Sequence, residues 1–240
     1  MKIDVSQYKQ IIVLTGAGIS TASGLHTYRG EGGVWDKFDV EEYGHVDRLT
    51  DHPDRIWELF GPLREQLKNA KPNTAHFVLA ELEKNLNASQ EFTLITQNVD
   101  GLHQQAGSQN LIELHGTIHL TKCANPKCSL EPYADDKSYL NEVPLCPECN
   151  HPLRPDIVLF GEMIPGGKDW FVKRALRDCD LFISIGTSGS VYPAANFVRS
   201  AEYAGARTIC INIDPMSPPN QAFKEEYLGK AEELLPILFG

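Results

Sequence analysis

Several polar side chains follow short apolar runs and could form a pocket for acid–base chemistry. Two amides and a carboxylate come directly after the run 92–96: Gln97, Asn98 and Asp100. His115 ends the run 110–115. The imidazole has an ordinary pKa of about 6.5, so it accepts a proton at neutral pH. His115 is therefore a candidate general base, although a histidine buried in a protein core would leave the same pattern.

A glycine turn after the first apolar run is the candidate phosphate site. Gly16 and Gly18 occupy the first two positions of G-x-G-x-x-G, but Thr21 stands where the third glycine belongs. Glycines after a strand let the backbone approach a pyrophosphate. A dehydrogenase also needs an acidic residue that ends a second strand about 20 positions on. The corresponding segment here, EGGVWDKFD, lacks a strand pattern. Hydride transfer is therefore disfavoured, and a tight turn without a ligand stays the alternative to a nucleotide site.

Four cysteines have the spacing of a structural zinc site. The pattern is C-x4-C, seventeen residues, then C-x2-C, formed by Cys123, Cys128, Cys146 and Cys149. Four thiolates complete a tetrahedral zinc shell and leave no position for a catalytic water. Free thiols or disulfides are the alternatives. Residues 122–155 carry four basic and five acidic side chains, so this module has no charge pattern for nucleic acid.

Alternating strand and helix patterns predict an α/β fold with a doubly wound, Rossmann-like parallel sheet. The predicted strands are 10–15, 92–96, 110–115, 180–186 and 207–212. Helices are expected over 74–86, with Asn73 as N-cap, and over 191–205. We expect one domain over 1–240. It carries a flexible cofactor loop and helical insertion at 30–75 and a smaller zinc-binding module at 122–155. The cofactor loop and its short helices occupy 30–62.

Composition narrows the class of protein. Among 240 residues, 32 acidic side chains outnumber 22 basic ones, giving a net charge of −10. That balance disfavours nucleic acid and anionic membranes as main partners. The sequence contains neither an apolar signal core at its start nor an apolar run of roughly 20 residues. We therefore expect a cytoplasmic location, and the oligomeric state stays open.

Six segments together resemble the sirtuins, the NAD-dependent protein lysine deacylases. They are GAGISTASGLHTYRG, TQNVDGLH, LHG, the four-cysteine insertion, FGE and GTS, in that order from about residue 10 onward. The resemblance implies that NAD is consumed and one zinc ion is structural. It implies that the acyl-lysine carbonyl oxygen attacks the ribose anomeric carbon and expels nicotinamide. A histidine then acts as general base, and the products are free lysine, nicotinamide and an acylated ADP-ribose.

The same resemblance assigns roles to individual residues. His115 becomes the base, with Asn98 as a second catalytic residue. The implied cofactor contacts are Gly16, Ala17, Gly18, Ser20, Tyr28, Arg29, Gln97, Asn98, Asp100, Gly186, Thr187, Ser188, Asn212, Asp214 and Ala231. The stretch 158–162 is expected to bind an acylated substrate peptide as an added strand, through Val158, Phe160, Gly161 and Glu162.

Two departures from the family pattern bear on specificity. A subgroup that removes succinyl and malonyl groups carries Tyr-x-x-Arg where this chain has Phe60 and Leu63, and Arg64 is one position off. Two apolar side chains leave an acyl carboxylate without a counter-charge, which predicts acetyl and longer apolar acyl groups over succinyl. His26 and Tyr28 stand where most members have Pro and Phe. The alternatives are succinyl or longer-chain deacylation, mono-ADP-ribosyl transfer, and a binding module that senses NAD.

Overall fold

The computed structural model describes residues 2–30 and 32–240, in which nine strands and seven helices are found. The strands are β1 (Gln10–Thr15), β2 (Glu91–Thr96), β3 (Leu111–Glu113), β4 (Gly116–Cys123), β5 (Tyr133–Ala134), β6 (Leu153–Ile157), β7 (Leu181–Ile185), β8 (Arg207–Asn212) and β9 (Glu225–Leu228). The helices are α1 (Val40–Tyr43), α2 (Pro53–Leu67), α3 (Thr74–Lys84), α4 (Leu102–Ala106), α5 (Gly166–Arg177), α6 (Phe197–Tyr203) and α7 (Ala231–Phe239). Among these, no helix has the length and apolar content needed to cross a bilayer.

The large sheet is parallel and doubly wound, which confirms the predicted fold class. Its strand order is β3-β2-β1-β7-β8-β9. The chain builds outward from β1 through β2 to β3, and then starts again on the other side of β1 with β7. The order therefore reverses between β1 and β7, and ligands of such sheets bind at this switch point. All five predicted strands belong to this sheet, whereas β9 was not predicted.

Alternating side chains of the sheet bury both of its faces. Ile11 and Val13 pack with helices α3 and α7, whereas Ile12 and Leu14 pack with α5 and α6. Helix α3 begins as predicted, because the Asn73 side chain accepts a hydrogen bond from the Ala75 N–H at 2.9 Å.

Helix α6 is shorter than the predicted range 191–205. A 3-10 turn covers Ala194–Asn196, and the α-helix follows only at Phe197. Pro193 has no N–H and disfavours the helical conformation at the residue before it, so the regular helix starts later. The helix ends at Tyr203, two residues before Gly205, whose φ of 86° is left-handed.

A second lobe combines the predicted helical insertion and cysteine module. Strands β5, β4 and β6 form a small antiparallel sheet in that order. The described part of 30–62 contains 3-10 turns, α1 and most of α2, and its one β-bridge joins His45 to Phe160. Trp57 of α2 is buried to 1% exposure, and its indole N–H donates to the Leu153 carbonyl at 2.9 Å. The helical insertion is thus packed against the small sheet.

Arg64 fastens helix α2 to that small sheet. Its guanidinium lies over the Trp57 ring, 4.9 Å from the centroid. It forms an ion pair with Asp135 at 3.4 Å. Its N–H groups donate to Ile118 O, Lys137 O, Leu120 O and Thr121 Oγ1, at 2.9, 2.7, 3.1 and 2.8 Å. The buried guanidinium is therefore committed to structural contacts.

Candidate active site

A cleft of about 1210 Å³ lies between the two lobes, at the carboxyl ends of β1 and β7. The ends of β1, β7 and β8 form its wall on the large sheet. On the other side it is walled by Thr27–Gly30, by His115 and by the run 157–166. The cleft therefore occupies the switch point of the sheet, where the wound topology favours ligand binding.

The glycine turn brings two backbones into close contact beside the cleft. The Gly18 N–H donates to the Gly186 carbonyl at 3.0 Å, and the Gly16 N–H donates to the Ile185 carbonyl at 3.0 Å. A Cβ atom at Gly18 would lie 2.7 Å from the Gly186 Cα. Gly16, Ala17 and Gly18 all line the cleft. This part of the cleft wall is therefore main chain with almost no side-chain bulk, so the pyrophosphate of a dinucleotide could approach the backbone closely.

Ser20 and Asp100 lie beneath the cleft rather than in its wall. The Ser20 hydroxyl donates to Asp100 Oδ2 at 2.7 Å, and the Asn98 amide donates to Ser20 Oγ at 3.1 Å. Burial raises the pKa of Asp100, while hydrogen bonds from Leu102 and Ser20 act in the opposite direction. Ser20 and Asp100 were expected to touch the cofactor. Their polar groups bond to each other and support Asn98, which lines the cleft. Their contact with the cofactor stays a prediction.

His115 presents one ring nitrogen as a proton acceptor. Its Nδ1 lies 3.0 Å from the Gln97 carbonyl oxygen. A carbonyl only accepts hydrogen bonds, so Nδ1 carries the proton and Nε2 keeps its lone pair. Burial lowers the pKa of His115, the Gln97 carbonyl opposes this, and the charge of Lys168 lowers it further. A half-buried, neutral imidazole in the cleft is suited to general-base work.

The residues expected at the adenosine end lie at the ends of β7 and β8. Asn212 clamps the turn after β7, with Oδ1 accepting from the Thr187 N–H at 3.1 Å and Nδ2 donating to the Thr187 carbonyl at 3.0 Å. Gly186 in that turn has a left-handed φ of 62°. All the predicted residues of this end line the cleft: Gly186, Thr187, Ser188, Asn212, Asp214 and Ala231.

An aromatic row forms the opposite wall of the cleft. Tyr28 contacts Trp35 with ring centroids 5.7 Å apart, and Trp35 meets Phe160 edge-on at 6.0 Å. Burial and the nearby Asp100 raise the pKa of the Tyr28 phenol. Arg29 lines the cleft beside them. Trp35 was not predicted, and the signal that could have found it was an aromatic residue in the segment that follows Tyr28 and Arg29.

The expected substrate stretch lines the cleft, but its backbone is largely occupied. Val158, Phe160, Gly161 and Glu162 are all in the wall. The N–H groups of Val158 and Phe160 donate to the His115 and Gly44 carbonyls, at 2.8 and 2.9 Å. The Phe160 and Leu159 carbonyls also accept, from the Val46 and Glu162 N–H groups at 2.9 and 3.0 Å. An added substrate strand would therefore pair mainly with the Val158 carbonyl and the Gly161 main chain.

The two predicted acyl-site residues are placed differently. Phe60 lines the cleft, whereas Leu63 is absent from the described lining. Leu63 is half-buried and packs against the Trp57 cluster. The role of Leu63 toward the acyl group stays a prediction. The two side chains are three residues apart on α2; both pack in the Trp57 cluster, and only Phe60 also lines the cleft.

The four cysteines converge as the spacing predicted. Their sulfur atoms all lie within 4.8 Å of one another. Cys123 and Cys149 are 3.4 Å apart, and Cys128 and Cys146 are 3.6 Å apart. A tetrahedral zinc ion with Zn–S bonds of about 2.3 Å requires sulfur separations of about 3.8 Å. The cluster thus fits one structural zinc ion. The cysteines do not line the described cleft, so a zinc ion bound there would support the fold of the small lobe.

Fold and cleft together define a nucleotide-binding α/β protein with a four-cysteine lobe. The sequence model of the Sir2 family matches residues 16–193. The chain belongs to this family. It is 42% identical over 229 residues to the NAD-dependent protein deacylase of Pasteurella multocida (strain Pm70), with 95% of both chains covered. The NAD-dependent protein deacylase of Vibrio parahaemolyticus serotype O3:K6 (strain RIMD 2210633) is 40% identical over 234 residues, which is 96% of this chain and 94% of that one.

Solved structures resemble the whole fold. A crystal structure of a Sir2 homolog–NAD complex superposes with a TM-score of 0.87 at 34% identity, covering 98% of this chain and 89% of that one. A Sir2–p53 peptide–NAD+ complex gives a TM-score of 0.79 at 30% identity, covering 96% and 92%. The relatives thus include proteins with NAD and a peptide bound together.

Proposed function

We propose that the protein is an NAD-dependent protein lysine deacylase that transfers the acyl group to ADP-ribose and releases nicotinamide. One observation carries the proposal: His115, with Nδ1 bonded to the Gln97 carbonyl oxygen, lines a cleft at the sheet's switch point. The same cleft is lined by the glycine turn and by the 157–166 wall. The names of the relatives and the NAD-bound homologue support the same reaction class.

The residues of the chain divide the work between binding and proton transfer. Bound NAD supplies an activated ribose carbon from which nicotinamide departs. The Gly16–Gly18 turn and the Asn212-clamped turn hold its phosphate and adenosine ends. Asn98, oriented by its bonds to Ser20 and the Gly16 carbonyl, presents an amide to the ribose. His115 Nε2 takes the proton of a ribose hydroxyl, and the Gln97 carbonyl stabilises the resulting imidazolium through Nδ1–H.

We propose further that acetyl and longer apolar acyl groups are preferred over succinyl. Phe60 offers the acyl group an apolar wall, and Arg64 is fully engaged with the small sheet and Asp135. A succinyl carboxylate buried beside Phe60 would lack a guanidinium partner from α2, and burying an unpaired charge is costly. Arg64 would have to give up several hydrogen bonds to supply one.

Mass spectrometry of one peptide carrying acetyl-lysine or succinyl-lysine tests both proposals. With NAD, we expect free lysine, with nicotinamide and acetyl-ADP-ribose in equal amounts, and slower removal of succinyl by at least about tenfold, the effect of about 1.4 kcal/mol. His115→Ala should lose deacylation while keeping the fold. Nicotinamide release from an untouched peptide would instead indicate NAD hydrolysis or ADP-ribosyl transfer. Intact NAD after long incubation would indicate a binding module, and faster succinyl removal would overturn the acyl preference.

A further inference from the structure

The corner that carries His115 is tied to helix α5 by a lysine that the sequence motifs did not single out. Lys168 lies in the first turn of α5, and its Nζ donates to the Glu113 carbonyl oxygen at 2.5 Å. Glu113 ends β3, two residues before His115 and three before β4 begins. The ammonium group therefore bridges α5 to the connection on which the candidate base is mounted.

Two other contacts hold the same corner. The His115 ring is fixed by the Gln97 carbonyl, and the His115 carbonyl accepts from the Val158 N–H at 2.8 Å. The first contact comes from the end of β2 and the second from the substrate wall after β6. Lys168 adds the only one of these three contacts that bears a charge.

The carboxylates on the neighbouring elements are already paired with other cations. These pairs are Asp156–Lys122 at 2.9 Å, Glu162–Arg154 at 2.8 Å and Asp169–Lys173 at 2.7 Å. The end of β2 presents the neutral amides Gln97 and Asn98, and the Asp100 carboxylate beyond them is bonded to Ser20 and Leu102. The Glu113 carboxylate lies outside ion-pair distance of Lys168, and one of its oxygens is buried without a hydrogen-bond partner. Within the described ranges, no ion pair joins Lys168 to another residue. Lys168 therefore carries its charge at this corner without a direct carboxylate partner, and Glu113 is the neighbouring carboxylate that lies beyond ion-pair distance.

We infer that Lys168 is a positioning residue for His115, anchoring the β3–β4 corner and opposing protonation of the imidazole by its charge. A cation near an imidazole disfavours the imidazolium form, so the base stays available at lower pH. Burial of His115 works in the same direction. The assignment of His115 as a base rests on the proposed function, whereas the effect of Lys168 on its titration does not.

The test is an NMR titration of the zinc-loaded protein with ring-labelled histidines. The His115 signal is identified by its absence from His115→Asn. Lys168→Gln keeps a donor for the Glu113 carbonyl but removes the charge, and we expect it to raise the His115 titration midpoint by about half a pH unit. Lys168→Arg should keep the original midpoint. Arg177→Met, an exposed charge on the same helix, is the matched control and should change nothing.

A second readout separates this inference from the proposed function. The acid limb of kcat/KM against pH should move upward with the midpoint in Lys168→Gln. Lys168→Met, which also loses the donor, should lower kcat as well. An unchanged His115 midpoint in Lys168→Gln, with the other histidine signals in place, would overturn the inference. A shifted midpoint in a protein that does not deacylate would retain it and reject the proposed function.

Discussion

At the residue scale, two histidines buried below the cleft make stability depend on pH. His76 and His103 pack with ring centroids 4.8 Å apart, and the His103 Nε2 lies 2.9 Å from Thr15 Oγ1. Burial lowers the pKa of His76 to about 4. Burial, with a smaller contribution from His76, lowers the pKa of His103 to about 3. Both side chains are therefore neutral in the fold at any pH near neutrality.

The direction of the pH effect follows from which state binds protons. The unfolded chain protonates each histidine as pH falls through about 6.5, while the folded protein does not. The free energy of unfolding should therefore fall by about 2 kcal/mol per histidine between pH 7 and pH 5. Urea denaturation at both values measures this. His103→Gln keeps a donor for Thr15 and should remove its share of the loss, whereas the exposed His26→Gln should not. An equal loss in His103→Gln would contradict the assignment.

At the scale of elements, the glycine turn allows one clear prediction. A methyl group at Gly18 would press on the Gly186 Cα and carbonyl, at 2.7 and 2.9 Å. Both contacts are backbone atoms that cannot rotate away, so Gly18→Ala must separate the turns after β1 and β7. We expect a loss of about 1–3 kcal/mol in the free energy of unfolding, and weaker NAD binding by calorimetry. Gly167→Ala, with open space around its Cβ, is the control. Unchanged stability and affinity in Gly18→Ala would contradict this account.

The sequence predicted the strands that are buried along most of their length, because such strands are continuous apolar runs. The central strands β1, β7 and β8 are buried through most of their length, so their apolar runs were easy to recognise. The sequence did not predict the small sheet, because β4 mixes buried and exposed positions and β6 contains two charged residues, Arg154 and Asp156, on either side of a proline. Edge strand β9 reads EEYL, and its sequence gives little sign of a strand.

The candidate site was predictable where a motif lies directly at a strand end. The glycine turn, Asn98, His115 and the turn after β7 all line the cleft. Ser20, Asp100 and Leu63 lie outside its described lining. The sequence could not predict this, because tertiary contacts decide which side chain of a turn or helix faces the cleft. Lys168 carried no sequence signal, since its role depends on a carbonyl 55 residues away.

At the scale of the whole molecule, zinc should hold together the lobe that shapes the cleft. The four cysteines fix the end of β4 and the start of β6, and both strands contact helix α2. We expect one zinc ion per chain by elemental analysis. Removal by a strong chelator should lower the unfolding temperature and loosen the lobe, since binding energy of structural zinc is folding energy. A metal-free protein with the same unfolding temperature would contradict the assignment. The exposed Lys127→Ala, between two cysteines, should keep the metal.

The Arg64 clamp has a consequence for how such proteins can be recombined. The chain enters the small lobe twice, once for α1 and α2 and once for β4 to β6. Arg64 belongs to the first excursion, and its carbonyl, hydroxyl and carboxylate partners all belong to the second. A chimera that takes the second excursion from a relative can lose the two side-chain partners, the Thr121 hydroxyl and the Asp135 carboxylate, and leave the buried guanidinium without its counter-charge. The two excursions should therefore be exchanged together, because their contacts are coupled, although about fifty residues separate them in the sequence.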